Sequence, residues 1–441
     1  MRIFDWDSLP EPERRAALAR PAQGTRAEVA AQTAAIIAAV RQDGDAAVRL
    51  FTERFDGVRL EGLRVSEQEF AAARRYLRAA DIMALEQAIE NVHRFHAAQV
   101  PQPIKLETFP GVQCERISRP ISAVGLYVPA GTAPLPSAVI MLAVPARIAA
   151  CPTAVLCTPP TPDGSANSAV LVAAELCGIR TVFKVGGAQA IAALAYGTAS
   201  VPKVDKIFGP GNAWVTAAKQ HVASDPAGAA CDLPAGPSEV MVIADDAARP
   251  AFVAADLLAQ AEHDSQAQAI LVTPSVALAH AVADALGEQL QQLSRRAILE
   301  RSLTASRCIV VSSLEAAFAV ANQYAPEHLI LEIDEPRGWL DRVHSAGSIF
   351  LGAWSPEPMG DYCSGTNHVL PTYGCARAYS GLSVLDFVKQ VTVQELTPQG
   401  LRALGPVAVS LAMLEGLDGH ANAVTQRLAV LARESLGGAP P

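Results

Sequence analysis

Two hydrophobic rhythms divide the chain. From Arg26 to Val100, alanines and other apolar residues recur at helical spacing, through VAAQTAAIIAAVRQ and again through ALEQAIENVHRFHAAQ, and this predicts amphipathic helices. Pro101 and Pro103 punctuate the end of that run. The first 25 residues read as an arm with a short helix. Further on, short apolar runs alternate with helical stretches. SAVGLYV, TAVLCT, TVFKV and KIF read as strands, and SAVIMLAVPARIAA, NSAVLVAAELCG (closed by Gly178), GAQAIAALAYGT and NAWVTAAKQHVAS as helices. A second series follows, with strands SEVMVIAD, AILVT, RCIVVSS, HLILEID and GSIFLG and helices RPAFVAADLLAQAEH and SVALAHAVADALGEQL. Apolar strands separated by helices imply parallel sheets covered on both faces. Two such series predict an α/β fold of two doubly wound, Rossmann-like units with small helical segments at the two ends. Beyond about residue 380 the periodicity is helical, with helices from Pro398 to Glu415 and from Asn422 to Glu434 and a short tail. No repeat of 20–50 residues is present.

Composition narrows the class. The 441 residues exceed one ordinary domain, half are hydrophobic and only 5% aromatic, which suits an Ala/Val/Leu-rich α/β protein with ample core. The net charge is -9, and no dense Lys/Arg stripe appears, which argues against nucleic acid or an anionic membrane as partner. The start, MRIFDWDSLPEPERR, lacks the apolar stretch of a signal peptide, and no apolar run is long enough to span a bilayer; a cytoplasmic protein is expected. The eight cysteines, at 114, 151, 157, 177, 231, 308, 363 and 375, form no CxxC pair, so they read as small core residues rather than disulfides or a zinc knuckle.

Against this apolar background five polar islands stand out: PAGPSEV (234–240), LLAQAEHD (257–264), YAPEHL (324–329), MGDYCSGTNHVLPTYG (359–374) and LEGLDGHANAV (414–424). In the second, Gln260 and His263 are three apart and share a helix face. They could chelate one metal through an amide oxygen and an imidazole nitrogen, or simply form a polar helix end. In YAPEHL, His328 suits a general base and the adjacent Glu327 could act on a second proton; an exposed strand start is the plainer alternative. The long loop of the fourth island, shaped by Gly360, Gly365 and Pro371, carries Asp361 and His368, and loops of this kind often hold function. In the fifth, Asp418 and Gly419 break the helical pattern, so that Glu415 ends one helix and His420 begins the next. Gly186-Gly187 and Gly209-Pro210-Gly211-Asn212 sit at strand-to-helix turns, where a backbone can approach a phosphate, although such glycines are more often only turn residues. His93, His96, His221, His280 and His344 lie in amphipathic stretches and read as surface or satisfied core residues.

Taken in order, the motifs VGLYVPAGTAPLPSAVIM, KVGGAQAIAALAYGT, KVDKIFGPGNAWVTAAK, DLPAGPSEVMVIAD, DLLAQAEHD, QYAPEHLIL, GDYCSGTNHVLPTYGCAR and LEGLDGHANAV resemble the histidinol dehydrogenase family from about residue 25 to 430. The resemblance implies a zinc-dependent enzyme that oxidises L-histidinol through histidinaldehyde to L-histidine with two NAD, at the end of histidine biosynthesis. It implies one Zn2+ per subunit held by Gln260, His263, Asp361 and His420, with Glu327 and His328 as proton acceptors. Ser238, His368 and Glu415, together with Gln260, His263, His328, Asp361 and His420, become substrate contacts, and Tyr127, Gln189 and Asn212 fall at NAD-contacting positions. It also implies an intertwined homodimer with shared active sites, in which His420 and Glu415 complete the other chain's pocket. The expected partition is an arm (1–25), a discontinuous α/β domain with the metal and catalytic residues (26–108 and 238–380), an NAD-contacting α/β domain (109–237) and a C-terminal segment reaching the partner (381–441). Two positions depart from the family's pattern: Ala130, where Gly is more usual, and Cys363, often Ala. Neither removes a functional group.

The chemistry implied is zinc anchoring the substrate's imidazole and amino nitrogens, with His328 taking the alcohol proton as hydride leaves to NAD and Glu327 activating water for the second oxidation. Manganese or cobalt could occupy the same ligands. Two rival readings remain: a relative on the same scaffold that oxidises another small alcohol such as a sulfonated diol, and a non-catalytic metal- or nucleotide-binding protein. The first should change the substrate contacts, here retained as His368 and Glu415. The second should lose the Glu-His pair.

Overall fold

The structure, a computed structural model, describes residues 1–21, 26–130, 133–233 and 236–435. The end of the arm, Gly131 and Thr132 of the first motif, Pro234 and Ala235 of the PAGPSEV island, and the tail from 436 lie outside the described residues. The chain divides into two units, Met1–Gln99 with Ile121–Phe387 and Val100–Pro120 with Val388–Pro441.

The first unit is a mixed α/β structure containing two parallel sheets. It opens with strand β1 (Arg2–Asp5) and helices α1 (Glu11–Ala17), α2 (Arg26–Asp43), α3 (Asp45–Asp56), α4 (Glu67–Tyr76) and α5 (Ala79–Ala97). The second unit contributes β2 (Ile104–Phe109) and β3 (Val112–Pro120). There follow β4 (Ala123–Tyr127), α6 (Pro136–Ile148), β5 (Thr153–Thr158), α7 (Ser168–Leu176), β6 (Val182–Lys184), α8 (Gly187–Tyr196), β7 (Lys206–Phe208), α9 (Ala213–Ser224) and β8 (Ala230–Cys231), which build a sheet of order β6-β5-β4-β7-β8. The second series is β9 (Glu239–Ala244), α10 (Pro250–Ala261), β10 (Gln268–Thr273), α11 (Val276–Leu290), α12 (Arg296–Ala305), β11 (Arg307–Val310), α13 (Leu314–Tyr324), β12 (His328–Glu332), β13 (Ser348–Leu351) and α14 (Glu357–Tyr362). Its sheet has the order β1-β11-β10-β9-β12-β13. Each series therefore winds outward in one direction from its first strand, then reverses. The N-terminal strand β1, expected as part of a loose arm, instead pairs in parallel with β11.

Side-chain alternation decides which helix covers which face. Along β9, Val240, Val242 and Ala244 join a core with Val253, Leu257 and Ala261 of α10 and Val282 of α11. Met241 and Ile243 point the other way, into a core with Phe318 and Tyr324 of α13 and with Trp6 and Leu18 from the N-terminus. In the five-stranded sheet, Tyr127, Val155, Cys157, Phe183 and Ile207 share a core with α8 and α9. On α6 every residue from Ser137 to Ala146 is buried, as expected for a helix that is apolar on all sides and enclosed on all sides.

The helices of 26–97 were expected to join the 238–380 layer. Ile37 and Val40 of α2 and Val48 and Phe51 of α3 instead share the core of the five-stranded sheet with α8 and α9, while α4 packs on α7 and α5 on α6. Backbone bonds from Val65 N to Val182 O and from Lys184 N to Leu63 O fasten the segment between α3 and α4 to edge strand β6. An amphipathic stripe shows that a helix face is buried, but not against which sheet.

The second unit is an antiparallel sheet of order β14-β3-β2 with a helical hairpin, α15 (Pro398–Leu414) and α16 (Asp418–Ser435). Strand β14 (Val388–Leu396) lies where a helical pattern was expected, and it pairs with β3 along its whole length. Almost all of its side chains are exposed within this chain, so the hydrophobic signal of one buried face is weak. Asp418 and Gly419, read as helix breakers, are the first turn of α16; an acidic residue there complements the helix dipole.

Asp256 on α10 is buried, and burial first, then the charge of Glu332, pushes its carboxyl up from 3.8 to about 7. Between those values the folded protein holds a proton that the unfolded chain has released. Stability therefore falls as pH rises through that window and levels off above it. Asp256→Asn should raise the melting temperature at pH 8, and the gain should shrink toward pH 4. Thermal unfolding of both proteins across that range checks the sign, and a gain independent of pH would contradict it.

Candidate active site

The Glu-His pair stands where α13 turns into β12. Ala325 closes the helix in a left-handed conformation, φ 54°, which is strained for a residue with a Cβ. Pro326 follows, and His328 is then the first residue of β12, opposite Val240 of β9 and Ser348 of β13. Glu327 and His328 are both buried. The Glu239 N–H donates to Glu327 Oε2 at 2.8 Å. His328 Nδ1 lies 3.0 Å from the Glu239 carbonyl oxygen. A carbonyl can only accept, so Nδ1 carries a proton, and Nε2 is the ring nitrogen left to face the rest of the site. That nitrogen has no hydrogen-bond partner among the described residues and faces Asp361 Oδ1 at 3.5 Å and Glu357 Oε1 at 3.7 Å.

The ligating atoms of His263, Glu357 and Asp361 all lie within 4.8 Å of one another. Gln260, in the last turn of α10, is fully buried, and neither its amide oxygen nor its amide nitrogen has a partner among the described residues. Unpaired buried amides are costly. One imidazole, carboxylate oxygens and an orphaned amide oxygen make a donor set that suits zinc or a similar divalent cation. Asp361, expected on a loop, stands on the short helix α14, and His368 Nδ1 bonds its carbonyl at 2.7 Å, tying the following loop back to that helix. That loop is tied down further by Asn367, which donates to Met141 O at 2.8 Å and contacts His96 Nε2. His96 is thus a satisfied core histidine, as its pattern suggested. Ser238 is half-buried, next to Glu239. Glu415 and His420 belong to the second unit, where both are exposed.

The electrostatics follow from crowding charges out of water. Burial is the largest influence on Glu327 and pushes its carboxyl up to about 8, against the opposing pull of His328. Burial likewise pushes Glu357 up to about 9, helped by the neighbouring Asp361. For His328 burial disfavours the cation, but Glu327, Asp361 and Glu357 together outweigh it and raise it to about 10. Asp361 is the carboxylate of the cluster that stays ionised: burial opposes this, but His328 and His368 overcome it. The protein mass around His263 lowers its pKa despite the nearby Asp361, which keeps a ligand nitrogen available.

Glu357 escaped the sequence reading. It lies one helical turn before Asp361 on α14, and that i,i+4 spacing places both carboxylates on one face, but the polar island was taken to begin at Met359. Glu239 escaped as well: it stood in the polar island PAGPSEV, but only Ser238 of that island was given a role.

The other residue group lies on the five-stranded sheet, at the carboxyl ends of its strands. Tyr127 ends β4, and its hydroxyl accepts from Gly187 N at 3.0 Å. Gln189, in the first turn of α8, is buried with an unpartnered Oε1. Asn212 caps α9 by accepting from the N–H groups of Trp214 and Val215. Gly209 has φ 127°, and a Cβ there would meet the Tyr127 carbonyl oxygen at 2.0 Å, so only glycine fits. The strand order reverses between β4 and β7, and the carboxyl side of such a reversal is where open α/β sheets bind ligands. All eight cysteines are free. Cys363 is engaged only through its backbone, where its carbonyl accepts from Asn91 Nδ2 at 2.8 Å.

A sequence model described as histidinol dehydrogenase matches residues 18–428. The chain is 56% identical over 432 residues to a histidinol dehydrogenase of Xanthomonas euvesicatoria pv. vesicatoria (strain 85-10), covering 98% of this chain and 100% of the relative. It is 54% identical over 435 residues to one from Vibrio vulnificus (strain YJ016), covering 99% and 100%. A crystal structure of histidinol dehydrogenase from Elizabethkingia anophelis superimposes with a TM-score of 0.94 at 43% identity, covering 98% of this chain and 99% of that one.

Proposed function

The chain belongs to the histidinol dehydrogenase family, and from that premise we propose how its residues divide the two successive NAD-linked oxidations of L-histidinol, through histidinaldehyde, to L-histidine. The observation that carries the proposal is the bonding of the Glu-His pair to the backbone N–H and C=O of one residue, Glu239, with Nε2 of His328 facing the His263–Glu357–Asp361 cluster.

Gln260, His263 and Asp361 would hold one zinc ion, with His420 of a second copy of the chain completing the set. When bound, zinc supplies a Lewis-acidic anchor for the imidazole and amino nitrogens of the substrate and has no redox part. With a cation on the neighbouring ligands to offset the carboxylates that keep a proton on His328, its Nε2 would take the alcohol proton as hydride departs to the nicotinamide. Its Nδ1–H stays on the Glu239 carbonyl throughout, so the ring cannot rotate away from the reacting atom. Glu327 then draws a proton from the water that adds to the aldehyde, and His328 serves again in the second oxidation. A carboxyl raised by burial is suited to accept that proton near neutral pH. Ser238, His368 and Glu415 hold the substrate. Tyr127, Gln189 and Asn212 contact NAD at the strand reversal of a sheet we read, like its neighbour, as Rossmann-like. The enzyme acts in the cytoplasm; no described helix is long and apolar enough to cross a membrane.

The active form is a homodimer with shared sites. In the second unit Val407, Leu411 and Leu414 recur at helical spacing on α15 and are all exposed, as are Val391 and Val393 of β14. Exposed apolar stripes of this kind mark surfaces that another chain covers.

Glu327→Gln should slow aldehyde oxidation by about 100-fold or more and alcohol oxidation far less; equal losses in separately assayed half-reactions would remove the assigned role. Chelation should abolish turnover, and His263→Asn should emerge from purification with less than one zinc per chain by atomic emission. Full activity in protein demonstrably free of metal would refute the site. Site sharing has its own test. His263→Asn and His420→Asn homodimers should each be inactive, and subunit exchange between them should restore activity, because each hybrid then owns one intact site. Persistent inactivity of proven hybrids would place both ligands in the same chain.

A further inference from the structure

The geometry points to a positioning role for Arg20: its guanidinium clasps the Glu239 carboxylate and thereby fixes the one residue whose backbone N–H and C=O hold Glu327 and His328. The inference rests on the reading of that pair as the proton acceptors.

Glu239 is 2% exposed, and its two halves do different work. Its backbone N–H and C=O hold the two catalytic side chains. Its carboxylate receives a forked pair of bonds from Arg20, Nε to Oε1 at 2.5 Å and Nη2 to Oε2 at 2.9 Å, and a third from the Tyr373 N–H at 3.0 Å. Arg20 also donates to the Tyr324 carbonyl at 2.8 Å, and its guanidinium carbon lies 3.9 Å from the centre of the Tyr324 ring. It thus grips the helix end from which the strained Ala325 leads into Glu327. The segment carrying Arg20 is fastened on both sides. Gln268 Nε2 donates to Ala19 O at 3.2 Å, and the Tyr373 hydroxyl donates to Pro21 O at 2.6 Å. Gln268 is itself held by the Tyr324 hydroxyl at 2.7 Å.

A planar fork matches a carboxylate in two bonds that a lysine cannot reproduce. Without it, a buried carboxylate loses its counter-charge and must move or take up a proton. Either change displaces the Glu239 backbone, and with it the bonds that orient His328 and Glu327. None of these contacts involves Gln260, His263 or Asp361, so metal retention should not follow the clasp.

The test compares Arg20→Ala, Arg20→Lys and Tyr373→Phe with the parent enzyme for zinc content, melting temperature, and kcat and KM of each oxidation, well below each melting temperature. Arg20→Ala should keep full zinc and a KM for histidinol within about threefold, while kcat falls about 10- to 100-fold. Added guanidinium chloride at low millimolar concentration should restore part of that loss. Arg20→Lys should fall between parent and Ala, and Tyr373→Phe should lose severalfold in kcat. An unchanged kcat per zinc-loaded site, even with a lowered melting temperature, would reduce the clasp to a stabilising contact and overturn the inference. A fall in zinc proportional to the fall in kcat would overturn it too. If Arg20→Ala fails to fold, the other two variants carry the same criteria. His328→Gln, run in parallel, separates the premise from the inference: if it retains kcat, the assignment of the proton acceptor fails rather than the clasp.

Discussion

The parallel pairing of β9 with β12 is the constraint on which the site depends. It sets His328 opposite Val240 and brings Glu239 beside Glu327. In a strand the side-chain period is two, so a slip of one residue would send Met241 and Ile243 to the wrong face. Both faces of β9 are fully buried against different helices, which makes such a slip expensive. The apolar residues of two cores therefore fix the register, and the register aims the polar pair.

The polar cluster is a local cost carried by that frame. Three carboxyl groups and an imidazole are gathered where water is excluded, and Gln260 adds an amide with no partner. Removing one member of such a cluster leaves the others exposed to each other's charge, so its members are coupled more tightly than their separation in sequence suggests. A divalent cation would answer several of these demands at once: it would take a lone pair from His263, from the Gln260 amide oxygen and from carboxylate, and would lessen the repulsion that adds to burial in raising Glu357.

How much of this could be read from sequence depended on how one-sided the local signal was. The apolar runs of the two sheets announced themselves, because strands buried on both faces are continuous in hydrophobicity. Gln260 and His263 were legible as polar neighbours three apart, although α10 ends at Ala261 and His263 lies just beyond the helix rather than on its face. Asp361 and His420 carried no geometric argument of their own and came only with the family resemblance. Strand β14 was missed because its side chains are exposed within the chain, and the target of α2–α5 was missed because a helix stripe is indifferent to the sheet it covers. Glu239 stood in a polar island, but no spacing rule shows that its work is done by backbone atoms and a buried carboxylate. Arg20, far away in sequence, could not be connected with it by any spacing rule.

The two sheets of the first unit wind alike, yet their candidate sites lie at opposite ends of the strands. In the five-stranded sheet the turns at the carboxyl ends are Gly186-Gly187 and Gly209-Pro210-Gly211-Asn212, with little side chain and several N–H groups near helix starts. In the six-stranded sheet the same edge carries Asp245 and Asp246 after β9 and Glu332, Asp334 and Glu335 around the end of β12. Asp245 already spends its carboxylate on the N–H groups of Ala247 and Asp334. An acidic edge with its donors engaged repels a phosphate that a glycine turn would accept. The amino edge, by contrast, is where α10 and α13 end and β9 and β12 begin, so it gathers helix C-termini, the Glu239 peptide and the Glu-His pair. A partial negative charge collects at helix C-termini, which favours a cation there. One topology thus supplies an anion-tolerant edge in one layer and a cation-tolerant edge in the other, and the residues at the turns decide which of the two is used.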